Sequence, residues 1–160
     1  MAVAKKSAKA FVHLSLAPDK EVDKPSMHVL RSAFQITLGA ALTYAGITHL
    51  TSSRTEFQAQ VPTILASQAD FVVLASGVVE ILLGLSLIFL FKYRTRIGWI
   101  TAAFFTAIFP GNISQYINGT DAFGLDTDQA RLIRLFFQPL LVIWALWSTG
   151  AWKSYRAKKK

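Results

Sequence analysis

The chain has 160 residues, of which 52% are hydrophobic and only 16% charged, with a formal net charge of +8 and no cysteine. Soluble domains usually carry about 25% charged residues, and here the apolar residues come in long blocks, so the composition points to a membrane protein of one domain. The missing cysteine excludes disulfides, thiol redox chemistry and thiolate metal sites, and the excess of basic residues sits at the ends of the apolar blocks and at the termini rather than on a face for nucleic acid.

Residues 1–28 read as a basic cytoplasmic arm, with Lys5, Lys6, Lys9, Lys20 and Lys24. Its apolar run at 10–17 is broken by His13 and Ser15 and is too short for a signal-peptide core. Residues 30–50 form the first predicted span. Gln35, Gly39, Leu42, Gly46 and His49 fall on one helical stripe. That stripe is small and polar, so it faces other helices rather than lipid. A loop at 51–68 follows, whose apolar piece at 61–65 is placed at the membrane interface.

The second predicted span, 69–91, is long enough to cross a bilayer, which takes about 20 mainly apolar residues. It carries Glu80 near its middle, and an intramembrane acid is costly and is usually neutralised, paired or set beside a wet cavity. Ser76, Glu80 and Gly84 are spaced four apart and share a face. A basic turn at 92–96 leads to the third span, 97–117, where Pro110 removes a backbone hydrogen bond and predicts a kink. A polar loop holding Asp121, Asp126 and Asp128 precedes the fourth span, 132–152, which has Arg134, Gln138 and Pro139 in its first half. Those aspartates lack calcium-loop spacing. A basic tail, 153–160, ends the chain.

The expected fold is therefore all-α: four transmembrane helices in an antiparallel bundle over 29–152. Fourteen of the seventeen Lys and Arg residues lie in the region up to Arg31, the turn at 92–96 and the tail. The positive-inside rule then places both termini in the cytoplasm and Trp99, Trp147 and Trp152 in an inner aromatic belt.

Depth follows from a helical rise of about 1.5 Å per residue. Glu80 falls near the midplane, Ser76 and Gln138 lie ~5 Å outward, Asn112 ~8 Å, Arg134 ~10 Å and His49 ~13 Å. Taken singly, each has a structural reading: His49 as an interface residue, Arg134 snorkelling to the surface, Asn112 satisfying backbone freed at Pro110. Four helices supplying polar groups at similar depth point instead to an interior, outward-opening polar cavity lined by His49, Glu80, Asn112, Arg134 and Gln138. Within it, Glu80 is expected to pair with Arg134, directly or through water and Gln138. Gly46, Ser76 and Gly77 are expected to leave room beside these residues. One histidine and one glutamate are too few for a haem or a metal centre, and no Gly-rich phosphate loop, HExxH or nucleophile elbow is present.

The motifs AGITHL (45–50), VP (61–62), SGVVEILLGL (76–85), FPGNISQY (109–116) and RLFFQPLLVIWAL (134–146) stand in the order found in DoxX-like membrane proteins, and the chain resembles that family over all four spans. The resemblance marks the same five residues. The chain departs from it at Gly111, where the family usually has Ala, and near Leu135, where Pro is common. The resemblance implies a four-helix membrane bundle, in a family linked to quinone-coupled sulfur oxidation, redox-defence complexes and, in animals, receptor assembly.

The resulting expectation is a multi-pass protein of the bacterial inner membrane, an accessory or partner subunit of a membrane complex rather than an enzyme on its own. Its partners are the lipid bilayer and another protein or a second copy, with no nucleic acid. No cofactor is assigned with certainty, and a quinone is the candidate, alongside a lipid, for the polar cavity: Arg134, Gln138 and Asn112 can donate hydrogen bonds, and Glu80 and His49 can carry protons. Two alternatives stand beside it, a quinone-linked oxidoreductase subunit acting on thiosulfate or quinol, and a membrane assembly factor or chaperone.

Overall fold

A computed structural model describes residues 25–158. The arm expected over 1–28 lies mostly outside the described residues. From Pro25 onward the chain is already helical.

The described residues contain helices and turns and no strand. Helix α1 spans Pro25–Leu50, the short α2 spans Arg54–Gln58, and a 3-10 helix at Thr63–Gln68 runs into α3, Ala69–Phe89. A 3-10 turn at Phe91–Tyr93 leads to α4, Arg94–Ile117, and then come α5, Asp128–Ser148, and α6, Ala151–Lys158. The expected fourth span thus starts four residues early. It ends before Gly150, whose φ of +71° is the left-handed conformation that terminates helices. At the other end of α5 the Thr127 side chain accepts the Ala130 N–H at 3.2 Å, an N-cap.

Three stretches are long and apolar enough to cross a membrane: Thr63–Phe89, Phe91–Ile117 and Asp128–Ser148. Helix α1, at 26 residues, has the length but is diluted by Gln35, Thr37, Thr43, Thr48 and His49. Its threonine hydroxyls are turned back on its own carbonyls, Thr37 on Ala33 at 3.0 Å, Thr43 on Gly39 at 2.9 Å and Thr48 on Ala45 at 2.7 Å, the usual way for a helix to hide hydroxyls from apolar surroundings.

The long helices pack as two hairpin pairs, α1 with α3 and α4 with α5. In α3 the buried residues Val73, Gly77, Glu80, Gly84 and Leu87 repeat at spacings of four and three, a stripe along one face. Opposite them lie buried Gln35, Leu38, Gly39, Leu42, Gly46 and His49 of α1. Glycines set the separation. A Cβ on Gly46 would stand 2.5 Å from the Gly77 carbonyl oxygen, and one on Gly39 2.7 Å from that of Gly84. Both are closer than real Cβ contacts, so backbone meets backbone at two levels. Gly46 and Gly77 therefore close a helix interface instead of opening space beside the polar residues. Only Ser76, on the flank of the stripe, lines a cavity.

At the end of the bundle carrying the basic 92–96 turn, the space between the pairs is filled. Leu38, Leu42, Leu83, Leu87, Ile97, Phe105 and Leu146 form one buried cluster there. Trp144 Nε1 donates to the Phe34 carbonyl at 3.0 Å, tying α5 to α1, and Gln35 Nε2 donates to the Leu87 carbonyl at 2.7 Å. At the opposite, loop-bearing end the pairs leave a cavity.

The glycine contact is directly testable. Gly46→Ala should destabilise the protein by about 1–3 kcal/mol, the usual cost of overpacking, because neither the Gly77 carbonyl nor the Ile81 backbone can move aside. Ala40→Val, on the exposed side of the same helix, should leave thermal unfolding in detergent unchanged. Equal melting of the two variants would remove the close approach as a determinant.

Candidate functional site

The cavity has a volume of about 750 Å³, and His49, Glu80, Asn112, Arg134 and Gln138 all line it. The five expected residues are thus brought together, one from α1, one from α3, one from α4 and two from α5. They stand on two facing walls.

On the α1–α3 wall His49 and Glu80 face each other across Gly77, where a Cβ would touch the His49 Cβ at 2.7 Å. His49 Nδ1 lies 2.8 Å from the Ala45 carbonyl and 3.1 Å from Glu80 Oε2. A carbonyl only accepts, so the hydrogen on Nδ1 is donated to Ala45. Glu80 Oε2 is close but has no hydrogen bond of its own, although the residue is only 5% exposed. The His49 ring is stacked on Phe57, centroids 3.3 Å apart.

On the α4–α5 wall the polar groups form a relay. Arg134 Nε donates to Asn112 Oδ1 at 3.3 Å. Asn112 Nδ2 donates to Gln138 Oε1 at 2.9 Å, and Gln138 Nε2 to the Phe105 carbonyl at 2.6 Å. Both amide orientations are fixed by this sequence of donors and acceptors. The carbonyl that Pro110 leaves without its helical donor is that of Thr106, and Gln138 serves its neighbour. Asn112 spends its side chain on the other helix and not on the kink.

The expected direct ion pair between Glu80 and Arg134 is not formed. No carboxylate lies within 4.0 Å of Arg134 among the described residues. Neutral acceptors, Asn112 Oδ1 and Gln60 Oε1, lie nearer to Arg134 than Glu80 does.

Sequence reasoning missed three lining residues, Phe57, Gln60 and Phe123. All three come from the two connections at this end of the bundle and roof the cavity. Gln60 Oε1 accepts from Arg134 Nη2 at 3.0 Å. The Arg134 guanidinium lies over the Phe123 ring at 5.5 Å, and Phe57 meets Phe123 edge to face at 4.6 Å. Phe123 has φ +57°, an uncommon conformation for a bulky residue. It is held by its N–H on Glu56 Oε2 at 3.0 Å. Behind it, Arg131 bonds Asp121 at 2.7 Å, the Leu125 carbonyl at 2.8 Å and Asp128 at 2.9 Å, knitting the second loop. The first loop is anchored by the Arg54–Asp70 ion pair and by Gln58 on Asp70; Asp70 raises the Arg54 guanidinium above its ordinary value by hydrogen bonding. Gln60 and Phe123 lie outside helices and Phe57 in a helix of five residues, too short to show a period, and only their aromatic and amide chemistry could have singled them out.

The rest of the wall is apolar, including Leu38, Leu42, Leu65, Val73, Ile108 and Leu141. The lining also includes Ile64 and Leu65 of the 3-10 helix and Ala107 and Pro110 of α4, all of them exposed, so the cavity has an open, apolar side there.

The fold and this cavity define a helical membrane protein with an internal pocket that is apolar except for a cluster of polar side chains. The chain belongs to the family described as a domain of unknown function (DUF8561), which matches residues 38–149. That match takes in all five polar residues and both connections at the cavity end of the bundle. No curated protein and no solved structure matches the chain.

The two walls make different predictions for coupled substitutions. In a double-mutant cycle His49→Gln with Glu80→Gln should show coupling in the range of about 0.5–3 kcal/mol for contacting residues. Glu80→Gln with Arg134→Gln should add to within about 0.3–0.5 kcal/mol. Unfolding by SDS titration measures both. Strong coupling in the second cycle would restore the Glu80–Arg134 pair.

Proposed function

We propose that the protein is a small four-span subunit of the bacterial inner membrane, with both termini cytoplasmic, that acts as an accessory or partner of a membrane complex and binds an amphiphilic ligand, quinone-like or lipid, in its cavity. The observation that carries this reading is the convergence of five polar side chains from four helices on one otherwise apolar cavity. Ligand sites commonly combine an apolar lining with a few placed polar groups. The open, apolar side suits a ligand that arrives from the bilayer. The resemblance to DoxX-like proteins supports the four-span arrangement and the quinone candidate. For α1 as the fourth span, support comes from its polar groups, which are bonded within the bundle: Gln35 to Leu87, His49 to Ala45 and the threonines to their own helix. For orientation, support comes from the basic residues gathered at one end.

Orientation is read by labelling, since the chain has no cysteine. Ser52→Cys, at the loop end, should react with an impermeant maleimide in intact cells, and Thr95→Cys, in the basic turn, only after the membrane is opened. The reverse pattern would turn the cavity toward the cytoplasm.

Ligand binding is read by purifying the protein in mild detergent, extracting it with organic solvent and identifying what is released by mass spectrometry. One amphiphile should be retained in near-stoichiometric amount. Ser76→Phe, which fills the cavity from α3, should lower retention by roughly tenfold, the effect of about 1.4 kcal/mol. Arg54→Ala, outside the cavity, should not. A retained quinone or lipid would support the accessory reading or its oxidoreductase alternative, while an empty extract would leave the assembly-factor reading in front.

A further inference from the structure

Three arginines stand at the loop end of the bundle, and their partners differ. Arg54 is paired with Asp70, and Arg131 with both Asp121 and Asp128. Arg134 has no carboxylate within 4.0 Å among the described residues; its partners are the neutral oxygens of Asn112 and Gln60 and the ring of Phe123. Of these three, Arg134 is the one that lines the cavity. A guanidinium stays charged under all ordinary conditions, and an unbalanced charge among apolar helices is costly.

The unused donors point the same way. A guanidinium has five N–H donors. Asn112 takes Nε and Gln60 takes one hydrogen of Nη2, which leaves the Nη1–Nη2 edge, the fork that receives a carboxylate in bidentate fashion. Beside it, Gln60 Nε2 is buried without a hydrogen-bond partner. Because its Oε1 is already engaged by Arg134, this amide presents a second donor at the same place. Glu80, the one acid of the lining, stands on the opposite wall beside His49.

We infer that the cavity takes a single-chain amphiphile with a monoanionic carboxylate head, a long-chain fatty acid, whose head is held by Arg134 and Gln60 and whose chain lies along Leu38, Leu42, Val73, Ile108 and Leu141. This rests on the amphiphile-binding reading above and chooses among its ligands: a neutral quinone leaves Arg134 without a counter-charge, and the carboxylate supplies it. One guanidinium matches one negative charge. Gln60 belongs to the roof, so the bound head also bridges the roof to α5.

The test is displacement of fluorescent cis-parinaric acid from the full-length protein in dodecyl maltoside, with palmitate, hexadecanol, lysophosphatidate and decylubiquinone as competitors. Palmitate should compete at least about tenfold better than hexadecanol, as expected for hydrogen bonds to a charged group. Arg134→Gln should remove that difference, Arg134→Lys should keep part of it, and Arg54→Gln should keep all of it. Equal competition by palmitate and hexadecanol, or stronger competition by decylubiquinone, would overturn the anionic head while leaving amphiphile binding intact. Stronger competition by lysophosphatidate than by palmitate would overturn the carboxylate in favour of a phosphate head. Absence of probe binding and of any competition would overturn both readings. If Arg134→Gln fails to fold, the acid-to-alcohol ratio in the unaltered protein decides the question by itself.

Discussion

The bundle depends on one close approach, that of α1 and α3 at the Gly46–Gly77 and Gly39–Gly84 contacts. Backbone against backbone leaves no freedom to rotate either helix without a clash at one level or the other. Rotation is what decides which side chains meet. With Gly77 absent of a side chain, His49 crosses over it and comes within 3.1 Å of Glu80, while Ser76, one residue earlier, is turned to the cavity. The same approach uses up the glycines of α3, Gly77 and Gly84, so the space for a ligand has to arise elsewhere. It arises between the hairpin pairs, which are joined by apolar packing at the basic end and held apart at the other.

A membrane interior offers no hydrogen-bond partners, so every polar group in these helices has to be satisfied by the protein or by something it binds. The α4–α5 wall meets this with a chain of four groups, Arg134, Asn112, Gln138 and the Phe105 carbonyl, each donating to the next. The α1–α3 wall meets it less fully, since Glu80 Oε2 has no hydrogen bond. Two of the buried side-chain atoms without a hydrogen bond, Glu80 Oε2 and Gln60 Nε2, belong to residues that line the cavity. With donors of Arg134 unused on one side and Glu80 Oε2 unbonded on the other, the cavity is a place where a ligand has hydrogen bonds to gain.

The loops are as much a part of the site as the helices. Arg131, buried under Asp121, Asp128 and the Leu125 carbonyl, holds the second loop in a shape that puts Phe123 at a positive φ. A conformation of that kind persists when its surroundings over-determine it, and here the Glu56 carboxylate, the Phe57 ring and the Arg134 guanidinium all engage Phe123. The roof is thereby tied to the polar cluster that it covers.

The sequence by itself determined the helical class, three helices long and apolar enough to cross a membrane, and the helix face of the five polar residues, because a period of 3.6 converts numbering directly into position around a helix. It identified the stripe of α1 from Gln35 to His49 for the same reason. Only the tertiary structure decided which neighbour each polar group took. Glu80 went to His49 and Arg134 to Asn112 and Gln60, since periodicity says nothing about how one helix is turned relative to the next. The glycines that seemed to make room proved to remove it, because a missing side chain admits a ligand or a neighbouring backbone equally well and the packing of α1 on α3 made the choice. Phe57, Gln60 and Phe123 were invisible for a different reason: such short segments carry no usable period, and the two loops are joined over the cavity by the Phe123 N–H on Glu56, a contact across 67 residues.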